Sequence, residues 1–350
     1  MSSEGTRNAA PAAVAEPATG QRPTSVQLSE RVHAVLGGVN CAIVDVGDGR
    51  ALLIDSGQDK EYGRKVRKAL DALGLELAVI LATHSHADHY GGNAYLLRQF
   101  REARVWAPEI EAEIIRTPAL EPIYLFHGAK PLPELTGKWL QAEASPVHRV
   151  LTAGRDTVGG ASFELLDVRG HAHRQLAVLV DDVLLAADAV FGAETLEKYP
   201  IPFAQDVVGQ LRAFETVAGV DARVLLPGHG APTEDITGVA NSNRVAVLRA
   251  ADAVLTACAA PEARSGASTE DVVAGSAESL GVALDDLARY HLNFCVVSAH
   301  LGRLRELGEI VCALEAGRLV WRRARRAAEE PEGRSAPVAG AARLEKGGDA

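Results

Sequence analysis

The sequence predicts a mixed α/β (α+β) fold, with a sheet-rich domain over residues 26–240 and a small helical module after it. Short apolar runs that are typical of strands alternate with amphipathic helical segments through the first of these regions. Histidine and aspartate side chains follow the ends of several of the apolar runs. Residues 241–325 contain three helical segments and then a hairpin pattern.

Length and composition set limits on the class of protein. The chain has 350 residues, of which 47% are hydrophobic, and a formal net charge of −10, which suits one large domain with a full core and a smaller one. No apolar run approaches the roughly 20 residues that would span a bilayer, so we expect no membrane partner. The acidic balance argues against nucleic acid as a partner unless basic groups are segregated into a patch.

The two ends of the chain differ from its middle. Residues 1–25 and 326–350 are rich in small, polar and charged side chains, which predicts disordered tails. The first segment lacks the apolar centre of a signal peptide, so we expect a cytoplasmic protein. The four cysteines have no Cys-x-x-Cys spacing and are interpreted as buried free thiols.

The first half of the domain is predicted element by element. Strands are expected at 32–36, 39–46 and 51–55, with Asp48 and Gly49 at a hairpin turn. Helical spacing over 63–73 ends at Gly74. A second helix is expected at 93–101 and a short strand at 105–108.

Residues 81–92 carry the strongest chemical signal, Leu-Ala-Thr-His-Ser-His-Ala-Asp-His-Tyr-Gly-Gly. His84 and His86 are two positions apart, so at the end of an extended strand their side chains leave on the same side and can meet one ion. Asp88 and His89 come where the chain should turn into a helix, and they can reach a second ion beside the first. The pattern therefore predicts a metal site with room for two ions.

This His-x-His-x-Asp-His pattern resembles that of the metallo-β-lactamase superfamily. Three downstream positions match the remaining ligands of that family, and each follows an apolar strand: His171, Asp188 and His229. Asp55, at the end of its own strand, matches the aspartate that supports the site behind the ligands. The resemblance covers about residues 26–239 and implies a four-layer αββα sandwich with the metals in a cleft at one sheet edge. Within the superfamily the chain looks most like glyoxalase II-like and little-characterised bacterial hydrolases.

The ligand set implies the chemistry. His84, His86 and His171 would hold one ion and leave a coordination position open, as in catalytic zinc sites. Asp88, His89 and His229 would hold the second ion, and Asp188 would bridge both. We expect two Zn²⁺ per chain, with Mn²⁺ or iron left open because imidazole and carboxylate suit all three. A hydroxide shared by the ions would attack the substrate, with Asp88 and His173 as the protein groups expected to act in catalysis.

Two segments are candidates for the walls of the substrate pocket. Residues 117–147 contain five prolines and several aromatic side chains between core elements, which is typical of a functional insertion and predicts a lid; a surface insertion that only packs on its own domain is the alternative. Residues 191–203 directly follow Asp188. The residues expected to line the pocket are Tyr90, Tyr124, Phe126, His127, Tyr199 and Phe203.

The C-terminal module is predicted as helices at 241–260, from Ser268 onward and at 290–307, followed by a hairpin at 308–321. That order resembles a winged helix. Such a module serves for nucleic-acid binding, for dimerisation or as a cap over a cleft. We expect a homodimer formed through it.

These observations favour an enzyme that hydrolyses a small activated acyl compound, a thioester or a lactone, with a dinuclear metal site. Two other enzyme classes share the fold: a phosphodiesterase or ribonuclease, which predicts salt-sensitive RNA binding, and a mononuclear iron thiol (persulfide) dioxygenase. A transcriptional regulator that senses a ligand is the non-enzymatic alternative. An open coordination position argues against it, because sensing does not require one.

Overall fold

Two β-sheets packed face to face form the centre of the chain in the computed structural model, which describes residues 24–259 and 266–324. The predicted disordered tails lie outside the described residues, except for residues 24 and 25. None of the described helices combines the length and the apolar character required to cross a membrane.

The first sheet has seven strands in chain order. Its first four strands pair antiparallel and the later pairs are parallel. They are β1 (Val26–Gln27), β2 (Val32–Val35), β3 (Cys41–Gly47), β4 (Arg50–Ile54), β5 (Glu76–Leu81), β6 (Arg104–Pro108) and β7 (Arg149–Leu151).

The second sheet has five strands in the spatial order β12-β11-β10-β9-β8. All of its pairs are antiparallel except β11 with β12, which is parallel. The strands are β8 (Gly154–Val158), β9 (Ala161–Asp167), β10 (Leu176–Val180), β11 (Val183–Ala187) and β12 (Val224–Pro227).

Helices cover the outer face of each sheet. On the first sheet lie α1 (Lys60–Leu73), α3 (Asn93–Gln99) and α4 (Glu109–Arg116), and on the second α7 (Val207–Gly219) and α8 (Ile236–Ala257). Three short helices lie in connecting segments: α2 (Ala87–Tyr90), α5 (Leu120–Leu125) and α6 (Ala193–Lys198).

The hydrophobic core is divided as this layering requires. One cluster fills the space between the sheets and draws on both, for example Val44 and Leu81 from the first and Val178 and Leu226 from the second. Two further clusters bury the outer sheet faces under the helices. The predicted four-layer αββα arrangement is confirmed.

Local sequence explains the ends of α1. The Asp59 side chain accepts hydrogen bonds from the backbone N–H groups of Glu61 and Tyr62, which satisfies donors at the start of the helix. Gly74 ends it in the left-handed conformation, with φ of 68°, as the sequence predicted.

The C-terminal module contains α9 (Thr269–Ser279), α10 (Leu287–Glu306), β13 (Ala267–Ser268), β14 (Ile310–Glu315) and β15 (Arg318–Arg323). Ser268 forms a capping box with Asp271 at the start of α9. The predicted helices and hairpin are present, and the hairpin joins β13 in a small sheet with the order β13-β15-β14. The resemblance to a winged helix stays a prediction.

The segment 117–147 contains helix α5 and a 3₁₀ helix, Pro133–Thr136. Its apolar side chains pack against α10 of the C-terminal module in one cluster: Leu125, Leu135 and Leu140, with Tyr124, Phe126, Ala288, Leu292 and Cys295 around them. The C-terminal module therefore holds this segment against the main domain.

Candidate metal centre

The loop after β5 carries four polar side chains to one edge of the first sheet. His84 and His86 lie in the loop itself, with His86 in an extended conformation, and Asp88 and His89 lie in the short helix α2, as the sequence predicted. The two glycines after Tyr90 permit this tight turn. A Cβ atom on Gly91 would lie 1.8 Å from the carbonyl oxygen of Gln58, and one on Gly92 would lie 2.2 Å from that of Ser56, so no side chain fits at either position.

The other three candidate ligands follow strands of the second sheet. His171 comes after β9, Asp188 directly after β11 and His229 after β12. These strands end at the same edge as β5, which brings residues more than 80 positions apart in the chain into contact. The structure thus brings all seven predicted ligands together, in three overlapping groups whose ligand atoms lie within 4.8 Å of one another.

The first group consists of His84, His86 and His171. The Nδ1 atom of His86 lies 3.1 Å from Nε2 of His84 and 2.8 Å from Nε2 of His171. Three imidazole nitrogens therefore face a common point. His171 is oriented from behind, because its Nδ1 lies 3.0 Å from the carbonyl oxygen of Phe203.

Asp88, His89 and His229 form the second group. The Nε2 atom of His229 lies 3.3 Å from Oδ2 of Asp88, and its Nδ1 lies 2.6 Å from the carbonyl oxygen of Gly38. The side chains of Asp88 and His229 are 28% and 22% exposed. This group is therefore partly open to solvent.

Asp188 lies between the two groups. Its Oδ1 is 3.1 Å from Nε2 of His89, and its Oδ2 is 3.4 Å from Nε2 of both His171 and His229. One carboxylate thus contacts imidazoles of both groups, which is the position that a bridging ligand requires.

The three-histidine group has lowered pKa values. Burial lowers the pKa of His84 well below its usual range, and the neighbouring imidazoles lower it further. Burial also lowers the pKa of His86 to about 4 and that of His171 to about 3. All three are therefore neutral at pH 7, the form in which imidazole binds a metal.

In the second group the pKa values of the two histidines are raised. Burial alone would lower the pKa of His229, but the charge of Asp188 and hydrogen bonds to Asp188 and Asp88 raise it to about 10. The pKa of His89 is likewise raised well above its usual range, since Asp188, Asp55 and Asp88 outweigh burial. Burial would raise the pKa of Asp88, but the charge of His89 and the contacts with His229 lower it to about 2.

Asp55 supports the site from behind. Its Oδ1 accepts a hydrogen bond from the backbone N–H of Thr83 at 2.8 Å, and its Oδ2 accepts one from the Thr83 hydroxyl at 2.8 Å. The same Oδ2 lies 2.7 Å from Nδ1 of His89. Asp55 has a φ of 58°, a left-handed conformation that aspartate tolerates better than most residues.

The donor set fits divalent metal ions. His89 Nε2 and Asp188 Oδ1 are buried and 3.1 Å apart, yet neither has a hydrogen-bond partner among the residues that the structure describes. The three neutral imidazoles of the first group place two ring nitrogens 3.1 and 2.8 Å from a third, an arrangement in which their lone pairs can bind one cation. Imidazole and carboxylate suit zinc, manganese and iron.

The predicted pocket residues lie at different distances from the ligands. The ring of Phe203 lies 5.5 Å from the rings of His86 and His171, and the Tyr124 hydroxyl accepts a hydrogen bond from the Gln205 side chain at 3.0 Å. Phe126 contacts the ring of His291 on α10.

The remaining candidates lie either at the surface or in the core. His127 and Tyr199 are exposed, and the His127 ring contacts Phe294. Tyr90 is completely buried in the core cluster between the first sheet and its helices, which favours a role in packing over contact with substrate. His173 is exposed and belongs to none of the ligand groups found among the described residues.

The sequence reasoning missed two buried polar side chains that support the ligand loops. Asn40 donates hydrogen bonds to the carbonyl oxygens of Pro227 and Gly230, on either side of His229. Glu111, in α4, accepts hydrogen bonds from Ser85 and Arg174. Glu111 falls on the same helix face as the buried Ile115, so a charged residue in an apolar position was the available signal.

The chain matches a family model and resembles several known proteins. A family model described as the metallo-beta-lactamase superfamily matches residues 34–229. A hydroxyacylglutathione hydrolase from Aeromonas hydrophila is 28% identical over 154 residues, which are 44% of this chain and 44% of that protein. An atrochrysone carboxyl ACP thioesterase from Aspergillus fumigatus is 26% identical over 220 residues, 60% of this chain and 59% of that protein. The chain thus spans about half the length of these relatives.

Solved structures show the same fold. A beta-lactamase domain protein from Burkholderia ambifaria superposes with a TM-score of 0.66 at 20% identity, over 88% of this chain and 96% of that one. A metallo-beta-lactamase family protein from Thermus thermophilus superposes with a TM-score of 0.61 at 22% identity, over 81% of this chain and 93% of that one. These extents reach beyond residue 240, so the likeness includes part of the C-terminal module.

Proposed function

The chain belongs to the metallo-beta-lactamase superfamily, and on that basis we propose that it is a dinuclear metal-dependent hydrolase of a small activated acyl compound, a thioester or a lactone. Two Zn²⁺ per chain are the proposed cofactors. The observation that carries the proposal is the position of Asp188 between two groups of ligands, in contact with imidazoles of both.

The geometry favours hydrolysis over a structural metal site. A structural zinc site is closed by four protein ligands, whereas a catalytic one keeps a position for water or substrate. Each group here has three ligands of its own and shares Asp188 with the other group, so neither group has four ligands to itself, and the side chains of Asp88 and His229 are partly exposed to solvent. Divalent ions bound there would lower the pKa of a coordinated water towards about 7, so that hydroxide is available at neutral pH.

The protein side chains have distinct roles in this proposal. His84, His86 and His171 are neutral and ready to ligate, and Asp188 holds the two halves of the site together. Asp88 remains ionised, because its pKa is lowered to about 2, and it orients the attacking water as a hydrogen-bond acceptor. His173 is exposed and lies two residues after the ligand His171, and it is the proposed donor of a proton to the leaving group.

The acyl class rests on two supports. The relatives named hydroxyacylglutathione hydrolase and carboxyl ACP thioesterase act on acyl compounds by their names. Phe203 places an apolar ring beside His86 and His171, where the acyl group of a substrate would lie. We propose a small-molecule acyl substrate on these grounds; the expected homodimer and the cytoplasmic location stay predictions.

The experiment combines metal analysis with a substrate panel. Purified wild type, Asp188→Ala and the control Asp182→Ala are analysed for metal by mass spectrometry and assayed with thioesters, lactones and phosphodiesters. Asp182 lies on the same hairpin as Asp188 but forms an exposed ion pair with Arg223. We expect about two zinc or manganese ions per chain in wild type and control, with acyl hydrolysis that Asp188→Ala abolishes.

Other results would redirect the assignment. One iron per chain, oxygen consumption with a small thiol or persulfide and no hydrolysis would replace the proposal with a dioxygenase. Cleavage of RNA or phosphodiesters without acyl hydrolysis would replace it with a phosphodiesterase.

A further inference from the structure

Glu111 is a charged side chain in a place where an apolar one is expected. It lies on the inner face of α4, is 1% exposed and has the buried residues Ala112 and Ile115 beside it. A carboxylate at such a position is costly unless several donors surround it. The reason for its presence must therefore lie in the groups that it contacts.

Three donors converge on this carboxylate, and they come from two different loops. Its Oε2 accepts hydrogen bonds from the backbone N–H of Ser85 at 3.1 Å and from the Ser85 hydroxyl at 2.5 Å. Its Oε1 accepts one from the backbone N–H of Arg174 at 2.9 Å. Every contact is donated to the carboxylate, so the ionised form suits all three.

The two loops are those that carry the three-histidine group. Ser85 lies between His84 and His86 in the loop after β5, which belongs to the first sheet. Arg174 lies three residues after His171 in the loop between β9 and β10, which belong to the second sheet. Glu111 is therefore a bridge between the two sheets at the edge where the ligands meet.

A second connection joins the same loops, since the backbone N–H of Leu176 donates to the carbonyl oxygen of Thr83 at 3.1 Å. That bond lies at the base of both loops, whereas Glu111 holds them beside the ligands themselves. The second ligand group is supported differently, because Asp55 contacts His89 and the Gly38 carbonyl contacts His229. Glu111 therefore acts on one of the two groups.

We infer that Glu111 is a positioning residue for the first ion: it fixes the separation between the loop of His84 and His86 and the loop of His171. The inference rests on the proposed metal site and adds to it the group that preorganises one half. Groups that orient metal ligands in this way typically affect metal affinity about 10- to 100-fold.

The decisive variant is Glu111→Gln, which preserves size but not the pattern of acceptors. A glutamine amide accepts at one end and donates at the other, so either Ser85 or Arg174 loses its acceptor and meets a second donor. The matched control is Glu113→Gln on the same helix, where the glutamate is 65% exposed and pairs with Arg116. Ser85→Ala is a milder variant that removes only the hydroxyl contact.

Three readouts separate positioning from general stability. Zn²⁺ affinities come from chelator competition fitted to two sites, the visible spectrum is recorded with Co²⁺, and urea unfolding is measured on the metal-free protein. We expect Glu111→Gln to weaken one of the two ions about 10- to 100-fold, to leave the other within about twofold and to change the Co²⁺ spectrum of the weakened site. Ser85→Ala should show a smaller loss, and Glu113→Gln none.

The outcomes distinguish this inference from the proposed function. If wild type binds two ions and Glu111→Gln binds both with wild-type affinity, Glu111 has no positioning role while the dinuclear site stands. Equal weakening of both ions together with loss of stability in the metal-free protein would assign Glu111 a structural role and overturn the inference. A wild-type protein that binds no divalent metal would overturn both.

Discussion

The contact between Asp55 and His89 decides which nitrogen of His89 is free to bind a metal. In the native protein Oδ2 of Asp55 faces Nδ1 of His89 at 2.7 Å, which holds a proton on Nδ1, so that Nε2, directed towards Asp188 and the ligand cluster, is the nitrogen that gives up its proton to bind a metal. The substitution Asp55→Asn preserves shape and tolerates the positive φ of 58° at this position. It changes only which atoms accept and which donate.

The expected magnitude follows from the hydrogen bonds of Asp55. The backbone N–H of Thr83 requires the asparagine oxygen as its acceptor, so the amide NH₂ must face His89. His89 then accepts at Nδ1 and carries its proton on Nε2, where it cannot ligate. If Nε2 of His89 binds a metal, the proton moves to Nδ1, and this N–H then faces the amide NH₂ of the substituted residue. A buried donor left without an acceptor costs about 1–3 kcal/mol, which corresponds to roughly 10- to 100-fold in metal affinity.

The assay is a chelator competition with Zn²⁺ on metal-free wild type, Asp55→Asn and the control Asp48→Asn. Asp48 also has a positive φ, 53°, but is exposed in the turn between β3 and β4. We expect the affinity of one ion to fall in Asp55→Asn and both to stay unchanged in the control. Wild-type affinity for both ions in a folded Asp55→Asn protein would refute the tautomer argument, and a loss confined to the three-histidine group would refute the assignment of His89.

Three further predictions follow from buried titratable groups. His300 is 1% exposed, neither ring nitrogen has a partner among the described residues, and burial lowers its pKa to about 4. The free energy of unfolding should therefore be highest above about pH 6.5 and fall by roughly 3 kcal/mol towards pH 4. Urea unfolding should show this fall in wild type but not in His300→Leu, and the same pH profile in both proteins would disprove it. Glu121 is 3% exposed and burial raises its pKa well above the usual range, so wild type should lose stability as the pH rises above about 4.5. Thermal unfolding should therefore show the stability of Glu121→Gln rising relative to that of wild type between pH 5 and pH 8. A stability difference that is the same at both pH values would mean that the native carboxyl is already ionised. The pKa of His229 is raised to about 10, so His229 must lose a proton before it can bind a metal. Calorimetry in two buffers should therefore detect proton release as metal binds at pH 7. If no proton is released, His229 is not protonated in the metal-free protein.

Four of the ligands could be predicted from spacing, because His84, His86, Asp88 and His89 lie within six positions after one apolar strand. His171, Asp188 and His229 also follow apolar strands, but they were assigned by the family resemblance. The sharing of Asp188 between two groups could be expected only from the family resemblance, because strand order in space is not visible in local pattern.

The contacts that Glu111 and Asn40 make could not be predicted from the sequence. Glu111 and Arg174 are 63 positions apart, and their contact exists only because the two sheets pack face to face. Asn40 and Pro227 are 187 positions apart and meet for the same reason. Side chains that act through tertiary contacts have no spacing rule in the sequence.

For the segment 117–147, the sequence predicted order but not the contacts. Its prolines and aromatics indicated an ordered insertion, but not that α10 would pack on it through Leu292 and Cys295. Tyr90 was a candidate for the pocket because it follows the ligands directly, although a packing role was the favoured alternative. Its side chain is buried in the core cluster between the first sheet and its helices.

The central claim, one hydrolytic site that needs two ions, is tested most directly by a metal titration of activity. Metal-free protein receives Zn²⁺ in increments, and the rate of thioester or lactone hydrolysis is followed after each addition. The account predicts activity that rises until about two equivalents are bound per chain, and that stays near background in Asp188→Asn at every addition. Full activity without added metal, or a plateau at one equivalent that Asp188→Asn also reaches, would contradict it.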